Sequence, residues 1–329
     1  MIKKLPKIEL HCHLDGSVRP ETILDIAKKE NIELFSYDIE EIKKAVIAPE
    51  ECTSLNDYLT RFKLPNLIMQ TRDSLERVTF ELFEDGAREN IKYMEVRFAP
   101  MLHTENGLTM GEVIESVLSG MRRAEELYEI KGNLILGCLR FMGEEIAIKT
   151  VEAGKDFLKE GVVAIDLCGN EDRGFAKDFK RAIDLARTYG YRVTIHAGET
   201  GIGENVLEAI EILGAERIGH GVFIRDCKEA YDIVKDKGIF LEMCPTSNVQ
   251  TKAVTGIKDH PLYDYYKNGI KVTINTDNRT VSNIDMTNEI SIAISELGLT
   301  DEDYKGIYLN SVEATFADEE TKKWLKIFI

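Results

Sequence analysis

Short runs rich in Val, Ile, Leu and Thr recur along the chain. They alternate with longer stretches in which apolar residues return every three to four positions. The short runs read as strands and the longer stretches as amphipathic helices. Strands are expected at residues 8–13, 93–99, 134–139, 162–167, 192–196, 217–219, 239–243 and 271–275. Helical spacing follows nearly every one, at about 110–128, 144–158, 176–189, 205–213, 227–235, 261–268 and 286–295, with a helical tail at the end. The strand runs carry little obvious polar alternation, which suits a parallel sheet covered on both sides.

Only the first strand departs from this rhythm. After a helix that begins near Pro20, residues 32–90 contain no strong strand. Helical spacing runs over 39–47, over a helix opened by Thr53-Ser54 that carries Tyr58, Leu59 and Phe62 on one side, and over 73–90. The segment 32–90 therefore reads as a helical insertion after the first strand. Eight βα units in one chain predict an α/β fold of the (β/α)8 TIM-barrel type. The 329 residues would ordinarily suggest about two domains, but such barrels often exceed about 250 residues as one. No low-complexity linker or charge block divides the chain, so residues 1–329 are expected to form a single barrel domain.

Barrels of this kind place their chemistry at the C-terminal ends of the strands. Here those ends carry His11 and His13, Gly169, His196, His220 and Asp277. The chain has six histidines, and four of them fall at these ends. His11 and His13 are two apart and share one face of a strand. The segment Val193-Thr194-Ile195-His196-Ala197-Gly198-Glu199-Thr200-Gly201 ends a strand in an imidazole and then, across a glycine, a carboxylate. Imidazole nitrogen and carboxylate oxygen suit zinc. His11, His13, His196 and Asp277 are assigned as the ligands of one Zn2+ per chain. Four protein ligands plus water make five, so Asp277 is expected to be a long ligand that also orients the water. A bound metal lowers the pKa of its water toward neutrality. Glu199, not itself a ligand, is placed to act as general acid or base. His103 and His260 fall outside the pattern and read as structural or surface groups. Cys244 reads as packing.

Composition narrows the class. The chain is 43% hydrophobic and 30% charged, as globular proteins are. The formal net charge of −16 argues against a nucleic-acid partner, which needs a basic face. No apolar run is long enough for a signal peptide or a bilayer span, so no membrane partner is expected. The six cysteines form no C-x-x-C pair, and several lie in apolar runs. They read as reduced, buried thiols of a cytoplasmic protein.

Five segments resemble a known family. They are His11-Cys12-His13-Leu14-Asp15-Gly16, His196-Ala197-Gly198-Glu199, Gly219-His220-Gly221, Cys244-Pro245-Thr246-Ser247-Asn248 and Asn275-Thr276-Asp277. Together, and in this order, they are similar to the motifs of the adenosine deaminase family, within the zinc-dependent amidohydrolase superfamily of barrels. The resemblance runs from about residue 7 to about residue 315. It implies a purine-salvage reaction that replaces the 6-amino group of adenosine, and of 2′-deoxyadenosine, by oxygen, releasing ammonia. It implies the ligand set given above. It further implies that Glu199 protonates purine N1, and that His220 assists the attacking water. The backbone N–H of Gly169 would meet purine N3, and Asp15 would accept the ribose 5′-hydroxyl. Tyr58, Leu59 and Phe62 would form an apolar lid over the ribose. Many family members have two successive aspartates where this chain has Asp277-Asn278. An amide NH2 at Asn278 can donate to N7 without sharing a proton. An adenine deaminase, another 6-aminopurine deaminase and, more remotely, a non-catalytic purine-binding protein on the same barrel remain the alternatives. The H-x-E and P-C-x-x-C signature of the cytidine-type deaminases is absent.

Overall fold

Each run expected to be a strand is one in the computed structural model, which describes residues 2–329. The strands are β1 (Lys7–His13), β2 (Ile91–Phe98), β3 (Lys131–Leu139), β4 (Val162–Cys168), β5 (Arg192–Ala197), β6 (Arg217–His220), β7 (Phe240–Met243) and β8 (Val272–Ile274). They pair in sequence order, and every pair is parallel. The ring closes just beyond β8. Cys12 and Asp277 form a parallel bridge, with His13 N donating to Asp277 O at 2.7 Å and Asp277 N donating to His11 O at 2.8 Å. Register brings the C-terminal ends level: His13 lies opposite Arg97, Leu139 opposite Cys168, and Ala197 opposite His220.

Between β1 and β2 come α1 (Pro20–Glu30), α2 (Ile39–Val46), α3 (Leu55–Leu59), α4 (Lys63–Ile68) and α5 (Arg72–Arg88). The crossovers that follow carry α6 (Met110–Leu127), α7 (Glu144–Gly154), α8 (Lys180–Tyr189), α9 (Glu204–Glu211), α10 (Lys228–Lys237), α11 (Pro245–Gln250) and α12 (Leu262–Lys267). The chain finishes with α13 (Met286–Ser295), α14 (Asp301–Ala314) and α15 (Glu319–Leu325). Local chemistry sets several starts. Thr109 and Glu112 cap α6 reciprocally, as Thr300 and Asp303 cap α14. A cap of this kind contributes about 1 kcal/mol. Asp301 and Glu302 sit in the first turn of α14, where the helix dipole favours them.

The apolar core lies between the outer face of the barrel and the helices, with Val96, Ile165 and Ile195 from strands meeting Val117, Ile183 and Val206 from helices. The barrel interior differs from the expectation of apolar strand runs. Glu95, Arg97, Asp166, Arg217 and Glu242 are all essentially unexposed and meet across it. Arg97 bonds Asp166 at 3.0 Å and Glu242 at 2.7 Å. Arg217 bonds Glu95 and Glu242, each at 2.6 Å. A single charged residue inside an apolar run was thus the inward half of an alternation, and it found an opposite charge from a distant strand. Buried ion pairs are weak evidence of stability, because desolvation offsets their attraction. Their visible effect is to hold carboxylates beneath the rim where the histidines sit. All six cysteines are free and buried. Among the described residues no helix is long and apolar enough to cross a membrane.

Candidate active site

Four of the eight strands deliver side chains to one rim. β1 ends in His11 and His13, β5 in His196, and β6 in His220, while Asp277 stands three residues beyond β8. Asp277 Oδ1 lies 3.4 Å from His11 Nε2 and 3.4 Å from His13 Nε2. His13 Nε2 is 3.3 Å from His196 Nε2. Donor atoms of His11, His196, His220 and Asp277 lie within 4.8 Å of one another. Five donors therefore converge, one imidazole more than the expected set.

Partners behind the cluster decide which nitrogens face it. β7 supplies Glu242, whose Oε2 takes His11 Nδ1 at 2.8 Å, and β4 supplies Asp166, whose carboxylate takes His196 Nδ1 at 2.9 Å. A carboxylate accepts the Nδ1 proton, so each ring turns an Nε2 lone pair inward. His11 Nε2 is buried and has no hydrogen-bond partner, which a cation would remedy. Burial pushes the His11 pKa down to about 4, with Arg97 and His196 adding to it, so the ring is neutral and able to ligate. Asp277 is held well below the usual carboxylate range, because the His11 hydrogen bond and nearby imidazoles outweigh its burial. Ser247 donates to the other Asp277 oxygen at 2.6 Å. The residues present fit a divalent metal with nitrogen and oxygen preference.

Backbone geometry is unusual at two of these positions. His220 and Asp277 are non-glycine residues with φ of 65° and 63°. Such conformations persist where surroundings impose them, and they cluster at functional sites. Gly219 is required for space rather than for φ: a Cβ there would stand 2.9 Å from His11 Cε1.

The cluster floors a cavity that Asp15, Tyr58, Leu59, Phe62, Gly169, Glu199 and Asn278 also line. The structure therefore brings every sequence-assigned residue to this cavity except His11, which lies in the cluster just beneath it. Glu199 Oε2 is 3.6 Å from His220 Nε2. Burial pushes the Glu199 carboxyl up, opposed by His220 and reinforced by Asp277. Asp15 is buried, its Oδ1 has no partner, and burial raises it to about 6. Asn278 Oδ1 is also buried without a partner. Gly169 has φ of 91°, and nothing in the protein comes within 3.8 Å of a Cβ built on it, so its cavity face is open. The three apolar residues do not share one helix. Tyr58 and Leu59 end α3, whereas Phe62 belongs to a 3-10 turn that follows, where Thr60 Oγ1 bonds back to Asp57 O at 2.7 Å. Tyr58 is pinned by its hydroxyl, 2.7 Å from Ser282 Oγ.

Sequence reasoning missed several supporting residues. Glu171, five per cent exposed, lies in the loop after β4. Its carboxylate accepts from Gly198 N at 2.7 Å, Glu199 N at 3.0 Å, Thr200 N at 3.2 Å and Asn205 Nδ2 at 2.9 Å. Arg140 donates to Gly169 O at 2.7 Å and to His196 O, and stacks on Phe175. His103 and His260 are both buried rather than on the surface.

The family model described as adenosine deaminase matches residues 6–327. The chain belongs to the adenosine deaminase family. It is 57% identical over 325 residues to the adenosine deaminase of Clostridium perfringens, covering 99% of this chain and 98% of that one. Among solved structures it resembles the adenine deaminase of Arthrobacter aurescens, at 26% identity and TM-score 0.92, over 98% of each chain. It also resembles an amidohydrolase from Burkholderia ambifaria solved with bound zinc, at 25% identity and TM-score 0.89, over 99% of this chain and 90% of that one.

Proposed function

We propose that this protein is a zinc-dependent enzyme that hydrolytically deaminates adenosine and 2′-deoxyadenosine to the corresponding inosines and ammonia. One observation carries the reading. A buried glutamate whose acidity is weakened opens into the same cavity as His13, His196, His220 and Asp277. Binding alone needs no such acid.

His11, His13, His196 and Asp277 would hold the zinc, one ion per chain. When bound, that ion supplies an activated water for attack on the carbon bearing the amino group. Everything else falls to the chain. Glu199 holds a proton in its neutral form and delivers it to purine N1, which makes the ring electron-poor. His220, beside Glu199, presents a ring nitrogen to the attacking water and steadies the charge that develops. Gly169 offers a backbone N–H and open space to the purine edge, and Asn278 offers its amide to N7. Asp15 has a free acceptor for a ribose hydroxyl. Residues 55–62 act as a lid within the single barrel domain, and Tyr58, Leu59 and Phe62 exclude water over the ribose. The six buried thiols support a cytoplasmic site of action.

The test is direct. Zinc-loaded protein mixed with adenosine should change the ultraviolet absorbance and release ammonia in equal amount. Glu199→Gln keeps the shape but not the titrating proton, so kcat should fall by about 10²–10⁴ while purine nucleoside still binds. An unchanged spectrum with wild-type protein would overturn the reading. A near-normal kcat in Glu199→Gln would remove that residue from the chemistry.

A further inference from the structure

One backbone amide outside the cavity sets a hydrogen-bond direction inside it. Leu262 N lies 3.3 Å from His260 Nδ1, and a backbone N–H can only donate. His260 Nδ1 therefore carries a lone pair, and the proton of the neutral ring is on Nε2. Burial lowers the His260 pKa to about 3, with His220 and Arg225 adding to it, which keeps that ring neutral. His260 Nε2 is 3.1 Å from Asn248 Oδ1, so the side-chain oxygen of Asn248 is the acceptor. The Asn248 amide is thereby oriented. Its Nδ2, a donor only, lies 3.0 Å from His220 Nδ1. His220 Nδ1 must accept. The neutral His220 ring then carries its proton on Nε2, the nitrogen that faces Glu199. All three side chains in this line are buried.

The geometry points to Asn248 and His260 as positioning residues that lock His220 with its proton on Nε2, presenting a donor to the cavity and no lone pair to a metal. The lock resolves the excess of donors at the rim. By distance, His220 qualifies as a metal ligand alongside His11, His196 and Asp277. By proton position it does not, and His13, close to both His196 and Asp277, takes that place. His11 and His196 are oriented in the opposite sense, since carboxylates take their Nδ1 protons and turn lone pairs inward. An amide behind one imidazole and carboxylates behind two others thus separate a proton carrier from ligands of identical chemistry. The role of that proton in turnover rests on the deaminase reading; its position does not.

The experiment uses the ¹⁵N-histidine-labelled, zinc-loaded enzyme and long-range ¹H–¹⁵N spectra that report which His220 nitrogen is protonated, with His220→Gln to assign the signals. Wild type should show Nε2–H. In Asn248→Asp the carboxylate only accepts, so the His220 proton should move to Nδ1, and kcat should fall at least about 10²-fold with little change in KM. His260→Phe removes the anchor, freeing the Asn248 amide to turn, and should give both tautomers. His260→Gln keeps an N–H donor and should restore the wild-type pattern. The two His260 variants decide the matter should Asn248→Asp fail to fold. A wild-type His220 protonated on Nδ1, or a tautomer indifferent to all three substitutions, would overturn the inference. A wild type that shows Nε2–H but does not deaminate adenosine supports the tautomer lock and overturns the substrate reading.

Discussion

The Glu171 carboxylate accepts the backbone N–H of Glu199 at 3.0 Å, and the N–H groups on either side of Glu199 donate to the same carboxylate. One acid thus fixes the loop that carries another. A neutral amide in its place would turn two donors toward donors. For Glu171→Gln the expectation is a loss of about 1–3 kcal/mol of stability, the cost of leaving buried donors unsatisfied. We also expect a fall in kcat larger than any change in KM, because Glu199 loses its position and not the substrate its pocket. Thermal unfolding and steady-state kinetics on one preparation check both. Unaltered kcat would reduce Glu171 to a loop staple.

Metal affinity should respond to residues that never touch the metal. Freshly purified protein should contain about one zinc per chain. Asp166→Asn changes the group behind His196 and should weaken zinc binding by about 10–100-fold. Competition with a chromogenic chelator measures this without any assay of turnover. Activity of Asp166→Asn should return at high zinc. His11→Ala should not be rescued.

Preference for the nucleoside should depend on Asp15. Its carboxylate is buried, has a free acceptor oxygen and would repel a phosphate. Arg97, the cation that lines the cavity, is already paired with Asp166 and Glu242, and Arg279, next to Asn278 in the chain, is paired with Glu89. Measured side by side, kcat/KM for adenosine should exceed that for adenine and for AMP by at least about 10². Asp15→Ala should cut adenosine turnover and leave adenine nearly unchanged. Equal losses on all substrates would make Asp15 a structural residue.

Glu289 should make stability depend on pH. It is fully buried and bonds Thr246 N at 2.7 Å, and burial raises its pKa to about 7. The folded protein therefore holds this proton more tightly than the unfolded chain. The stabilisation is complete below the ordinary glutamate range of about 4.3 and is lost as pH rises through about 7. Across that window it amounts to roughly 3 kcal/mol. Glu289→Gln removes the titration, so its deficit against wild type should shrink between pH 5 and pH 8. Chemical denaturation at both values reads the difference, and a deficit constant with pH refutes it.

The barrel was legible because its evidence is local. Runs such as Val162 to Cys168 favour strands by residue type, and helical spacing between them leaves little choice of topology. The rim was legible because histidines are few and fell at strand ends. What stayed hidden depends on partners far away in sequence. Nothing adjacent to Arg97 announces Asp166 or Glu242. Glu171 resembles a solvated loop acid until the turn at Gly198 folds back on it. His260, next to Pro261, carries no mark of its line to His220. The break between Leu59 and Phe62 rests on a side-chain bond from Thr60, which helical periodicity does not report.

The charged tier inside the barrel bears on how the chain is made. Glu242 receives His11, Arg97, Thr194 and Arg217, side chains from four other strands, and it lies 231 residues after His11. A nascent chain therefore carries its first two histidines through most of translation with neither Glu242 nor Asp277 to orient them. A fragment ending before β7 would keep the Arg97–Asp166 and Arg217–Glu95 pairs but leave each arginine without the second carboxylate, Glu242, that joins them. Ring closure, the full charge network and the complete donor set thus all depend on the last two strands and the Asp277 that follows them.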